Sequence, residues 1–289
     1  MRKAVFITFL LVSVFAYAQE PQVQYSVRVL NGEWGAYVSN GAMAGSTGES
    51  RHLEAMRVRV VSNIRGSIEY EAHIENSGWI GWKEADVIAG MQSQRIEAVR
   101  MRLTGELAEL YDVRYRTHMS GFGWGGWSAN GNISGTTGQR RHLEAIEVVL
   151  VNKRQQVNEI SYEVFIAEIG WAGYSFNGAM AGSTGQNRRL DALKMHVNTT
   201  AGGIRYDVSS NGRWLGWKAN NEQIGTVGRS ILEAIRVELT GDFANQFNVR
   251  YRVLTQNVGW SDWVMNGTAA GTTGQNRRIE AIEVVLVPK

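Results

Sequence analysis

The stretch Asn266 to Ala281 reads N-G-T-A-A-G-T-T-G-Q-N-R-R-I-E-A, and it decides the fold because it recurs. Asn177 to Ala192 reads N-G-A-M-A-G-S-T-G-Q-N-R-R-L-D-A, and Asn130 to Ala145 and Asn40 to Ala55 follow the same pattern. Two shorter versions, ending at Glu97 and Glu233, lack one residue between the glycine turn and the acid. Six units of about 45 residues result, the mark of a repeat architecture. With the acid before the alanine as marker (Glu54, Glu97, Glu144, Asp191, Glu233 and Glu280), successive spacings are 43, 47, 47, 42 and 47. Across three units the marker advances by 137, 136 and 136 residues, so a longer period overlies the shorter one. The segment Leu103-Thr104-Gly105-Glu106 before Val113-Arg114-Tyr115-Arg116 also returns 136 residues later, as Leu239-Thr240-Gly241-Asp242 before Val249-Arg250-Tyr251-Arg252. The spacing predicts two three-repeat domains, residues 19–152 and 153–289, each of common domain size.

Each unit opens with strand periodicity, as where Tyr70, Ala72 and Ile74 alternate with Glu71, His73 and Glu75. Each closes with a second alternating run: Ile146, Val148 and Leu150 share a face, and Glu144, two residues earlier, is placed on that same core-facing side. Parity places Glu97 and Glu280 likewise. A buried carboxylate needs partners, so the six acids are expected to be structural anchors. The candidate partners are amides of the adjacent glycine turn, an indole N–H, or Arg51, Arg141, Arg188 and Arg277. With 33 glycines and two prolines the chain is rich in tight turns. The expected fold is all-β, with two pseudo-threefold domains built as three-sheet β-prisms or, alternatively, as β-trefoils. Three units closing round an axis would leave no long unpaired edge.

All ten tryptophans fall in the aromatic motif of a unit. The first position is Trp34, Trp79, Trp124, Trp171, Trp214 or Trp260; the second, three residues on, is Tyr37, Trp82, Trp127, Tyr174, Trp217 or Trp263. In a regular strand residues three apart face opposite ways. The first ring is therefore expected in the core as part of the structural motif, and the second on the surface as a candidate ligand-binding ring. Exposed flat rings stack on sugars or anchor protein partners, and six of them add avidity. Packing of both rings between sheets, with a bulge or turn upsetting parity, is the alternative.

Residues 1–18 read as an export signal: Arg2 and Lys3, an apolar run from Ala4 to Phe15, then Ala16-Tyr17-Ala18. The run is too short for a membrane span, which needs roughly 20 residues. The formal charge of +3 falls to +1 without those two cations, and no basic block suggests nucleic acid. There is no cysteine, so neither a thiol nucleophile nor a disulfide framework exists. The glycine turn lacks the lysine and following helix of a phosphate loop. His52 and His142 occupy one position of their units and read as basic surface residues; His73, His118 and His196 read as ordinary pleat residues, and no metal site or cofactor is expected. Acids duplicated six times argue against an active site, which usually breaks local symmetry.

The combination G-W-x-x-W, N-G-x-x-A-G-T-T-G-Q and R-R-I-E-A-I-E resembles the clostridial hydrophobic repeat with tryptophan, ChW. The resemblance runs from about residue 22 to the end. It departs in the second unit, where Glu84-Ala85-Asp86 replaces the Asn-Gly turn. It implies an exported or cell-surface protein whose repeats bind polysaccharide or other extracellular proteins. The combined expectation is a secreted, non-catalytic binding protein with a polysaccharide partner. A protein-interaction scaffold is the alternative, and a glycan hydrolase a distant third.

Overall fold

The computed structural model describes residues 20–289; the expected export signal, residues 1–18, lies outside the described residues. The described chain is all-β apart from two short helices, Gly105–Leu110 and Phe243–Gln246, and a single 3-10 turn at Lys153–Gln156. Among the described residues no helix is long and apolar enough to cross a membrane.

Each unit contributes one pair of long antiparallel strands. In the first unit Gln22–Val29 pairs with Leu53–Val61, and in the second Ser67–Ile74 pairs with Ile96–Thr104. In the third Tyr111–Met119 pairs with Leu143–Asn152, and in the fourth Ile160–Ile166 with Leu190–Val197. The fifth and sixth are built on Gly202–Ser210 with Leu232–Gly241 and Phe247–Thr255 with Ile279–Pro288. Alternation sends one side of the opening strand into the core, and its tyrosines (Tyr25, Tyr70, Tyr115, Tyr162, Tyr206 and Tyr251) are among the largest fully buried side chains.

What joins the units is a two-residue strand that each gives away. Ala89–Gly90 of the second unit pairs with the first, Ser134–Gly135 of the third with the second, and Ala44–Gly45 of the first with the third. The exchange closes on itself after three sheets. It is repeated among the last three: Ile224–Gly225 pairs with the fourth sheet, Ala270–Gly271 with the fifth, and Ala181–Gly182 with the sixth. Every sheet edge beside a closing strand is thereby covered by another unit.

The six marker acids sit in β-bulges, and this corrects the parity argument. Leu143 pairs with Met119 and Ala145 with His118, so Glu144 is skipped, and the other five acids are skipped in the same way. A bulge reverses the alternation downstream of it. Leu143 and Ile146, three residues apart, therefore both enter the apolar core. Glu144 lies on the outer side with His118, whose ring meets Trp124 edge-on at 5.5 Å. The acids are nevertheless covered: five are 1–5% exposed, and the Glu280 side chain is 12% exposed.

Candidate functional site

The position after each core tyrosine faces, across the ladder, the position three residues after the marker acid. Four of these pairs are closed ion pairs: Arg100 with Glu71 (2.5 Å), Arg116 with Glu147 (2.6 Å), Arg236 with Asp207 (2.7 Å) and Arg252 with Glu283 (2.6 Å). The third and sixth units have the charges exchanged between strands relative to the second and fifth. In either arrangement the guanidinium lands on both aromatic rings: Arg100 is 4.5 and 4.9 Å from Trp79 and Trp82, and Arg116 is 4.9 Å from both Trp124 and Trp127. Arg57, Arg236 and Arg252 do the same for Trp34 with Tyr37, Trp214 with Trp217, and Trp260 with Trp263. Each cation–ring contact of this kind contributes about 0.5–2 kcal/mol.

The rings are thus not divided between core and surface. All twelve motif aromatics are half-buried. In most units the motif is a short paired step followed by a turn, so strand parity does not run through it. In the second and fifth units the cross-strand acid also holds that turn: Glu71 accepts from the Gly81 amide at 2.7 Å and Asp207 from the Gly216 amide at 2.9 Å. Because charge is exchanged between units, we expect Glu71→Arg alone to destabilise the fold by about 3 kcal/mol, since it sets two cations against each other. Adding Arg100→Glu should recover more than half of that loss. A double-mutant cycle from urea titrations measures it, and simple additivity would contradict the pairing.

The acids are anchored differently from expectation. Glu233 accepts from the amides of Gly274 and Asn276 at 3.2 and 2.8 Å, and Asp191 from that of Gly228 at 2.8 Å. These amides belong to the next unit's glycine turn, because strand exchange delivers that turn to the neighbouring sheet. The basic partners are also displaced by one residue. Arg189 and Arg278, not Arg188 and Arg277, reach Asp191 and Glu280. Arg51 instead bonds Glu49, and Arg141 points to the Ser120 carbonyl. His73 and His118 stand 3.3 and 2.9 Å from Glu97 and Glu144. His52 is buried, not a surface residue; its ring meets His142 at 5.6 Å, and burial pushes the pKa of both below the usual histidine value.

The fourth unit breaks the pattern. Its aromatic segment, Gly170–Phe176, is a continuous strand pairing with Ile160–Ile166, and its outer edge meets the third unit. There Trp127 and Tyr174 exchange amide–carbonyl hydrogen bonds, both 2.7 Å. Gly126 and Gly173 cross at this point, and a Cβ on Gly126 would lie 2.6 Å from the Gly173 carbonyl carbon, so only glycine permits the approach. Gln139 of the third unit donates to the Ile169 carbonyl, and Gln186 of the fourth donates to the Phe122 carbonyl. Clefts of 420 and 190 Å³ flank the crossing. The larger presents Trp171 and Tyr174 on one side and Asn132, Thr136 and Thr137 on the other. Glu163 and Lys194, the cross-strand acid and base of the fourth unit, also line it. Lys194 Nζ lies 4.0 Å from the Trp171 ring centre, and burial pushes the Glu163 carboxyl above the usual carboxylate range, with Lys194 opposing. Of the candidate binding rings, Tyr174 lines the larger cleft and Trp127 the smaller. Tyr37 is instead bonded to Asp86 at 2.6 Å, and Trp82, Trp217 and Trp263 cover arginines away from the crossing.

Fold and site together define an all-β repeat protein whose sheets exchange short strands and carry cation–aromatic stacks on their outer faces. The family model described as Clostridial hydrophobic W, ChW, matches residues 32–62, 73–105, 118–152, 166–199 and 255–288. These matches cover more than half of the chain, which therefore belongs to the ChW family. The fifth sheet falls between the matched segments but has the same long pair and donated strand. No curated protein and no solved structure is significantly similar to the chain.

Proposed function

We propose that this is an exported or cell-surface, non-catalytic binding protein that engages polysaccharide. In this reading residues 19–152 and 153–289 form two three-sheet prisms, and the stacked aromatics are scaffold first and contact surface second. The observation that carries it is the 420 Å³ cleft at the crossing, where two aromatic rings face side-chain hydroxyls and amides. Flat apolar walls with a few convergent polar groups suit a sugar ring, and the volume is in the range of small-molecule sites. Glu163 is the single carboxylate among the cleft's lining residues, whereas glycoside hydrolysis ordinarily uses two.

A pull-down of the chain, without residues 1–18, on insoluble and soluble polysaccharides tests this reading. Binding to at least one polymer is expected, lowered about tenfold or more by Tyr174→Ala, with the melting temperature within a few degrees of the parent. Silence across all polymers would favour the second reading, an adhesion scaffold for extracellular proteins. That reading draws on an apolar residue exposed at the same position of four units: Met43, Ile88, Ile133 and Met180, at 43, 50, 48 and 41%.

A further inference from the structure

We infer that Glu163 and Lys194 form a polar clamp selecting an uncharged glycan segment in the cleft between the third and fourth units. The inference rests on the polysaccharide reading above and narrows it to a ligand class and a pair of residues. It starts from a comparison the chain makes with itself. In the second, third, fifth and sixth units the cross-strand acid and base are joined at 2.5–2.7 Å. In the fourth, the same two positions are Glu163 and Lys194, opposite each other in the ladder, yet among the described residues neither side chain is in an ion pair or a hydrogen bond, and Lys194 stacks on Trp171 instead. The acid that holds a turn amide in the second and fifth units has no such amide here, because Gly173 is drawn into the crossing with Gly126.

The carboxylate and the ammonium are not joined to each other: Lys194 lies over the Trp171 ring, and both groups line the open cleft in partly desolvated surroundings. A ligand that engages both donates to Glu163 and accepts from Lys194. Neighbouring hydroxyls of a pyranose do this while remaining neutral. A uronate or sulfate group would pair with Lys194 but bring its charge against Glu163, and an amino sugar would meet the reverse problem. Trp171 and Tyr174 supply the stacking wall, and Thr137 a hydroxyl contact from the other side.

Titration calorimetry with neutral tetrasaccharides of β-glucan, xylan and mannan type, beside tetragalacturonate, tests the clamp. The parent chain should bind at least one neutral probe at least tenfold more tightly than the acidic one. Glu163→Gln should weaken the neutral probe about tenfold and narrow the gap to the acidic one, with an unchanged or raised Tm because a partly buried charge outside any ion pair is removed. Lys194→Met should weaken neutral binding by a similar factor. If Tyr174→Ala abolishes neutral binding while both clamp variants bind as the parent does, the clamp is wrong and the polysaccharide reading stands. Tighter binding of tetragalacturonate by the parent also overturns the clamp alone. If the parent binds neither these probes nor any polymer in the pull-down, both fall together.

Discussion

Raising the pH from 10 to 12 should unfold this protein in one cooperative step. Six of its ten tyrosines stand at 0–1% exposure, one at the start of each unit. Four of these phenols, Tyr25, Tyr115, Tyr162 and Tyr251, do two jobs. Tyr251 donates to the Thr268 carbonyl of its own unit at 2.6 Å and accepts the Val237 amide of the neighbouring sheet at 3.0 Å. Tyr115 repeats this with Asn132 and Met101, and Tyr162 with Ala179 and Val284. Burial pushes Tyr25, Tyr70, Tyr206 and Tyr251 up to about 12, and Tyr115 and Tyr162 also upward. An unfolded tyrosine ionises near pH 10. The stability due to these protons is therefore complete below pH 10 and is lost as pH rises toward the folded-state values. Six protons give a slope on the order of 8 kcal/mol per pH unit at its steepest, against a typical margin of about 5–15 kcal/mol. Absorbance at 295 nm and circular dichroism should change together between pH 10 and 12. Gradual ionisation near pH 10 with the sheets intact would show that these phenols are not sealed in the core.

Gly90→Val should lose about 4 kcal/mol or more and disrupt the first three sheets together. Gly90 ends the strand that the second unit gives to the first, with φ +144°, and a Cβ there would collide with the Glu54 carbonyl oxygen and lie 2.5 Å from Ala55 Cα. The obstacle is backbone, which cannot swing aside as a side chain can. Separation of the strands would release the amide of Met91, which donates to the Glu54 carbonyl at 3.0 Å, and would break a closed cycle rather than a single edge. Gly48→Val is the control: its φ is +77°, but no atom lies within 4 Å of the added carbon, so about 1–2 kcal/mol of backbone strain is expected. Urea midpoints of the two variants separate the effects. Equal losses would mean that left-handed strain, not strand exchange, sets the requirement for glycine.

The period of the chain exposed its repeats and the buried tyrosine face, because alternation and repetition are properties of the chain alone. The ChW resemblance was likewise legible in the motif residues. The acids illustrate the limit. Counting by twos from Ile146 places Glu144 in the apolar core, and the count fails at a bulge set by pairing with Met119 and His118. Their partners lie one residue from, or one unit beyond, the expected positions for a related reason: the donated strand brings the next unit's turn to the acid. The arginine between the rings had a signal that could have been found. Units that lose the cation after the acid gain one after the tyrosine, as Arg100 with Glu71 becomes Glu147 with Arg116.

Local alternation and internal repetition thus settled which residues form strands and which side of the opening strand is apolar, since both depend on spacing along one chain. The cyclic exchange of strands, the burial of both aromatics against one cation, and the cleft holding Glu163 and Lys194 arose only in three dimensions. Each depends on which edge meets which, and a repeat that is uniform in sequence becomes unequal where its third and fourth copies touch.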